Sequence, residues 1–157
     1  VKHVQTYVLS LGEATVVEED GRIVMLGLSA RDKAAVPADA LCQESPILRR
    51  ARVQLEEYLA GRRKSFELPL APRGTDFQRK VWEALTRIPY GETRSYKQIA
   101  EAVGCPRGCR AVGLANNRNP ISIVIPCHRV IGADGRLVGY GGGLPLKKAL
   151  LRLEGSL

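Results

Sequence analysis

Two periodicities separated by a linker predict an α/β (α+β) chain of two domains. Apolar and polar residues alternate from Val4 to Ser29, helical spacing takes over after Thr75, and Ala71-Pro72-Arg73-Gly74 has the composition of a domain boundary. Residues 1–72 are expected to form a small N-terminal antiparallel sheet with a helix. Residues 73–157 are expected to form a helical domain containing a helix-turn-helix.

In the first domain Val4, Thr6 and Val8 alternate, Thr15-Val16-Val17 follow, and Asp20-Gly21 supplies a hairpin turn before Ile23-Val24-Met25-Leu26. Arg31 to Cys42 shows no period and reads as loop. Ser45-Pro46 starts a helix, with the hydroxyl as N-cap and the proline where its missing N–H does no harm. Ile47, Leu48, Ala51, Leu55, Tyr58 and Leu59 make its apolar stripe, and Gly61 ends it. Phe66, Leu68 and Leu70 alternate as one more strand, which Pro69 would confine to a sheet edge.

In the second domain Thr75 or Asp76 caps a helix with Phe77, Val81, Trp82, Leu85 and Ile88 on its apolar face, and Pro89-Tyr90-Gly91 stops it. Ser95 to Val103 and Arg107 to about Asn116 read as two short helices around Gly104-Cys105-Pro106, a helix-turn-helix pattern that any αα-corner shares. Ala111, Gly113 and Ala115 let the second helix approach another surface closely, either a DNA groove or another helix, with Arg110 alongside. Asn116 to Pro120 reads as loop, Ala133-Asp134-Gly135 as a turn, and Tyr140-Gly141-Gly142-Gly143 as a segment whose bare N–H groups approach a ligand or serve as a hinge. A last helix, Pro145 to Leu153, turns Leu146, Leu150 and Leu153 inward and ends at Glu154-Gly155.

With 157 residues, 45% of them hydrophobic, the chain can bury one sound core or two small ones. A net charge of +8 attracts polyanions, nucleic acid first, although a basic surface by itself requires no partner. Four cysteines are too few and too unevenly placed for a disulfide framework, and Cys105 and Cys109 lack the imidazole partners of a zinc site. No metal is expected. The chain has no apolar run long enough for a membrane and no signal-peptide core near Val1-Lys2-His3, so a cytoplasmic location without membrane contact is expected.

The chemistry concentrates at Ile123-Val124-Ile125-Pro126-Cys127-His128-Arg129-Val130-Ile131, where a thiol and an imidazole interrupt a run that wants to be buried. A thiol attacks as thiolate, and apolar burial alone raises its pKa. His128 as proton acceptor and Arg129 as positive charge are the local groups that could offset this. Adjacency leaves two readings open, a nucleophile or a small core residue.

At this run the sequence resembles the O6-alkylguanine-DNA alkyltransferases, the direct-reversal DNA repair proteins. Four matches carry the resemblance: Pro89-Tyr90-Gly91-Glu92 with Ser95-Tyr96; Arg110-Ala111-Val112-Gly113; Asn119-Pro120 leading into Ile125-Pro126-Cys127-His128-Arg129-Val130; and Gly139-Tyr140-Gly141-Gly142-Gly143 before the last helix. They cover Thr75 to Glu154; before Thr75 the likeness is architectural. The resemblance implies a suicide transfer of a methyl or alkyl group from guanine O6 in duplex DNA to Cys127, with O4 of thymine left open. It also implies that no cofactor takes part, that the partner is double-stranded DNA containing O6-alkylguanine, and that the protein acts as a monomer. By the same likeness, His128 acts through a water, Glu154 orients the imidazole, and Asn119 braces the hinge before the active-site loop. Tyr96 donates to guanine N3, Tyr140 lines the pocket, the Gly141 amide meets O6, the carbonyls of Cys127 and Val130 accept from the exocyclic amine, and Lys147 lies beside them. The recognition helix enters the minor groove with Ala111, Gly113 and Ala115 close to DNA and Arg110 filling the stack of a flipped nucleotide. The N-terminal zinc that some members of the family hold through Cys and His residues is not carried over, since only His3 and Cys42 precede Thr75.

Three competing readings remain at this level. A lesion sensor of the alkyltransferase-like kind would lack the acceptor cysteine, which is present. A helix-turn-helix transcription factor would place long base-reading side chains on the second helix. A Cys-His hydrolase would leave the DNA-binding features without a role.

Overall fold

The computed structural model describes residues 1–140 and 143–157, which leaves Gly141 and Gly142, and with them the expected Gly141 contact to O6, outside the described residues. The chain forms two compact units, one of residues 1–73 with Pro120–Ser122 and one of residues 74–119 with 123–157.

The first unit is built on β1 (Lys2–Leu9), β2 (Gly12–Glu19) and β3 (Arg22–Gly27), an antiparallel meander joined at its second turn by Asp20 and Gly21, both at positive φ. That conformation is the one a two-residue hairpin turn requires. The stretch read as loop contains two short elements. The helix α1 (Ala30–Ala34) is capped by the Ser29 hydroxyl, which takes the Asp32 amide. It buries no residue, so no apolar period announced it. The strand β4 (Leu41–Cys42) joins β1 in parallel, giving the order β3-β2-β1-β4. Helix α2 (Pro46–Leu59) starts at Ser45-Pro46 as expected and buries Leu48, Ala51, Leu55 and Tyr58.

The strand expected at Phe66-Leu68-Leu70 is reduced to one bridge between Leu70 and Ile23. The Gln54 side chain takes the place of a neighbouring strand: its amide donates to the Glu67 carbonyl at 3.2 Å and its oxygen accepts the Glu67 N–H at 2.9 Å. Once a side chain has satisfied both backbone groups, no strand is needed there.

The second unit starts with α3 (Asp76–Thr86), where Thr75 and Gln78 form a capping box. Gly74 stands so close to the Trp82 ring that a β-carbon would fall 2.5 Å from it. After β5 (Arg94–Ser95), a second capping box, Ser95 with Gln98, opens α4 (Tyr96–Ala102), and α5 (Cys109–Asn117) follows. Helix α5 ends at Asn117, one residue past the expected end near Asn116, and Asn116 is buried with its side chain bonded from within the helix to the active-site turn. The run from Ile123 is buried as expected but is not a strand: Ile123 takes a φ of 70°, costly for a β-branched residue, and Cys127–Arg129 form a 3₁₀ turn. The strand β6 (Val130–Ile131) then pairs in parallel with β5, and α6 (Leu144–Leu153) closes the unit. Helix α6 buries Leu150 and Leu151, but its third fully enclosed side chain is Lys147; Leu146 and Leu153 are only half-buried. Among the described residues no helix is long and apolar enough to cross a membrane.

Candidate active site

The site is assembled at the 3₁₀ turn from three directions. Pro126 precedes the turn, Cys127 is 4% exposed, and His128 is fully buried. The C-terminal end of α6 brings Glu154, whose Oε2 lies 2.8 Å from Nε2 of His128. The end of α5 brings Asn116 and Asn119: Asn116 donates to the Cys127 carbonyl at 3.3 Å, and Asn119 donates to the Ile125 carbonyl at 2.7 Å and hydrogen bonds toward the Cys127 sulfur.

The hydrogen bonds assign the tautomer. An ionised carboxylate only accepts, so Nε2 of His128 carries the proton and Nδ1 presents a lone pair. No hydrogen-bond partner for Nδ1 exists among the described residues, although the atom is buried. A buried basic nitrogen left without a donor, on the residue that follows a thiol in the chain, is available to receive a proton.

Burial pushes the Cys127 thiol up, and Asn119, the Lys147 ammonium and the Tyr140 hydroxyl pull it back toward ionisation. Burial also holds the His128 imidazole below its ordinary value; Glu154 opposes that, while Arg129 and Lys147 reinforce it. Arg129 is therefore not the charge that serves the sulfur. Its guanidinium is spent on Glu154 and on the Ile88 carbonyl, and the cation acting on Cys127 is Lys147. Lys147 is lowered to about 8, chiefly by burial, and its ammonium donates to the carbonyls of Val130 at 2.6 Å, Val138 at 3.2 Å and Gly139 at 3.3 Å. It ties together two backbone walls beside the thiol.

The Tyr96 hydroxyl, expected to donate to guanine N3, donates to the Val138 carbonyl at 2.9 Å. Its proton is raised by burial and then by the Cys127 charge, which places the ring in the same electrostatic neighbourhood as the sulfur. Both carbonyls expected to receive the exocyclic amine are already engaged, Cys127 with Asn116 and the Val130 amide, and Val130 with Lys147.

On α5, Arg110 and Ala111 are exposed, Leu114 is 58% exposed and Gly113 is half-buried. Ala115 departs from the groove-facing expectation: it is buried, and its carbonyl accepts the Trp82 indole N–H at 2.8 Å. Its small side chain serves helix–helix packing. Sequence reasoning missed Asn116 and the true partner of Arg129. The signal for Asn116 was weak, a polar residue at helical spacing from Val112 and Ala115.

Comparison with known proteins identifies the chain's relatives. The family described as 6-O-methylguanine DNA methyltransferase, DNA binding domain, matches residues 76–156, and its companion, the ribonuclease-like domain, matches residues 3–72. The chain is 58% identical over 127 residues to a methylated-DNA–protein-cysteine methyltransferase of Methanosarcina barkeri, covering 81% of this chain and 80% of the relative. It is 52% identical to the constitutive enzyme of that name from Bacillus subtilis, covering 92% and 90%. Among solved structures it resembles Mycobacterium tuberculosis OGT in complex with DNA, with a TM-score of 0.89 and 45% identity over 98% of this chain and 93% of that one.

Proposed function

The chain belongs to the 6-O-methylguanine DNA methyltransferase family, and from that premise we propose that it repairs duplex DNA by moving the alkyl group of O6-alkylguanine onto Cys127. As a member of the family it is a DNA-repair methyltransferase whose acceptor is a cysteine. The observation that carries the choice of Cys127 is that His128, on the same turn, is enclosed with Glu154 from the end of α6 and keeps its imidazole Nδ1 as an acceptor.

The steps follow from the groups present. The thiol proton passes to Nδ1 of His128, through a water by likeness to the family, and the Lys147 charge favours the thiolate that results. Sulfur attacks the carbon bound to O6; the S–C bond forms as the C–O bond breaks, and the electron pair stays on the purine. Tyr96 gives up the Val138 carbonyl and donates to N3, stabilising the leaving anion, and the proton held on His128 restores neutral guanine. Tyr140 lines the pocket, and the carbonyls of Cys127 and Val130 orient the exocyclic amine by yielding or sharing the donors they now hold, Asn116 and the Val130 amide on the first and Lys147 on the second. A thioether offers water no electrophilic carbonyl, so each molecule acts once.

Duplex bases hide O6, and extrusion has to precede chemistry. The exposed face of α5 suits entry into the minor groove, because Ala111 and Gly113 leave room for close approach and Arg110 can fill the vacated stack. Every residue of the relay comes from one chain, which supports a monomer as the acting form. Four free thiols and a charge of +8 fit a reduced cytoplasm and association with the nucleoid. The test is intact-mass measurement after incubation with O6-methylguanine duplex: one added methyl is expected, on a peptide containing Cys127, and none in Cys127→Ser. Tight binding with unchanged mass would make the chain a lesion sensor.

A further inference from the structure

Arg129 follows the two residues that the reaction uses, yet its side chain bonds Glu154 and the Ile88 carbonyl. Nε donates to Glu154 Oε1 at 2.8 Å and Nη2 donates to Oε2 at 2.9 Å, a two-point fork on one carboxylate. Nη1 donates to the Ile88 carbonyl just past α3 at 2.7 Å, and the guanidinium carbon lies 5.8 Å from the centre of the Tyr90 ring. Tyr90 in turn donates to the Leu153 carbonyl at the end of α6. Oε2 of Glu154 is therefore shared by Nη2 of Arg129 and Nε2 of His128.

The shared oxygen has two consequences. A single imidazole contact leaves a carboxylate free to rotate about its last side-chain bond, whereas the Arg129 fork fixes its plane and with it the ring that it holds. The second consequence is electrostatic: a cation already seated on the carboxylate makes another on the imidazole harder to form. We propose that Arg129 is a positioning residue for the alkyl transfer: it fixes Glu154 and opposes charging of the His128 ring, so that the imidazole meets Cys127 as a neutral base. The inference rests on the reading of Cys127 and His128 given above and deepens it.

The ionisable groups that act on His128 are Glu154 and Lys147 from α6 and Arg129 from its own turn, where Cys127 precedes it in the chain. Helix α3, also packed on the turn, acts through the Ile88 carbonyl and the nearby Tyr90 ring, and its charged side chains Asp76, Arg79, Lys80 and Glu83 are exposed. Glu154 is thus the group that favours a charged ring, and Arg129 and Lys147 oppose it.

The test combines a pH profile with a direct view of the ring. With only two histidines in the chain, the imidazole C2–H signals are assigned by His3→Gln. In the parent protein the His128 signal should not move between pH 6.5 and 9 (roughly the range above a free imidazole's titration). In Arg129→Met its titration should move up by about one pH unit, and the acid limb of the methyl-transfer rate, read by intact mass, should move up with it. The rate would then fall by up to about tenfold on the acid side of the shifted limb and recover above it. Arg129→Lys keeps the charge and loses the fork, so its acid limb should stay in place while its plateau drops. A loss of equal size at every pH in both variants would overturn the inference. So would a His128 signal in the parent protein that titrates at the ordinary value, a result that needs no variant to fold. A parent protein that takes up no methyl while its ring behaves as expected would sink the reading of the reaction instead.

Discussion

The chain has two histidines, each hydrogen bonded to a buried glutamate, and only one of them is built for chemistry. His3, in the first unit, offers Nδ1 to Glu18 at 2.5 Å and remains 25% exposed. The other Glu18 oxygen takes the Gly21 amide, so that carboxylate ties β1 to the β2–β3 hairpin. His128, in the second unit, offers Nε2 to Glu154, is fully enclosed, and keeps Nδ1 for something else. The pairs are chemically alike. What differs is the company: Glu154 is gripped by Arg129, and the imidazole follows Cys127 in a turn overlooked by Lys147. A carboxylate–imidazole pair becomes a proton relay when a nucleophile stands on its open side and the rest of its surroundings keep the ring neutral.

Exchange of the two imidazoles tests this contrast most severely. His128→Gln keeps a donor toward Glu154 but loses the base, and the methyl-transfer rate should fall by about 10²–10⁴. His3→Gln should leave the rate within about twofold, since the change is confined to a surface-facing pair of the first unit. Single-turnover kinetics on O6-methylguanine duplex measures both. Comparable losses would erase the distinction between the pairs.

The glutamates should separate in stability. Glu154→Gln leaves the buried Arg129 guanidinium without its counter-charge, a loss of about 3–5 kcal/mol. Glu18→Gln retains an oxygen for Gly21 and disturbs one further hydrogen bond, about 1 kcal/mol. Urea unfolding of the two variants gives the difference directly, and equal midpoints would mean that the Arg129 fork contributes little.

The same contrast explains what could be read in the sequence. Features decided within four residues were legible: the Ser45-Pro46 start, a cap at Thr75 or Asp76, and the Asp20-Gly21 hairpin. Features decided by a distant side chain were not. Gln54 replaces a strand partner for Glu67 thirteen residues away, and Arg129 turns toward Glu154 twenty-five residues on, although its neighbours in sequence suggested the thiol. Cys127 and His128 stood out in the apolar run they interrupt and Glu154 was named through resemblance; the fork behind them follows from packing alone. Lys147 was named as a basic residue near the pocket, but a leucine-rich helix gives no hint that its one inward cation is fully enclosed.

That cation provides the smallest of the expected effects. The second unit buries Lys147, whereas the buried polar side chains of the first unit, Thr15, Glu18 and Gln54, include no cation among the described residues. Lys147 is pushed from 10.5 down to about 8, so between those values the unfolded chain holds a proton that the folded protein has released. Where the unfolded state binds more protons, stability rises with pH. Cys127 works in the opposite sense, because burial raises it and the folded protein retains the thiol proton longer, so the measurement belongs in Cys127→Ser. In that background unfolding should require about 1–2 kcal/mol more at pH 9.5 than at pH 7.5 relative to Cys127→Ser carrying Lys147→Met. Parallel pH profiles for the two proteins would mean that the ammonium is as well solvated in its three carbonyls as in water, and that the second unit accommodates its enclosed charge without strain.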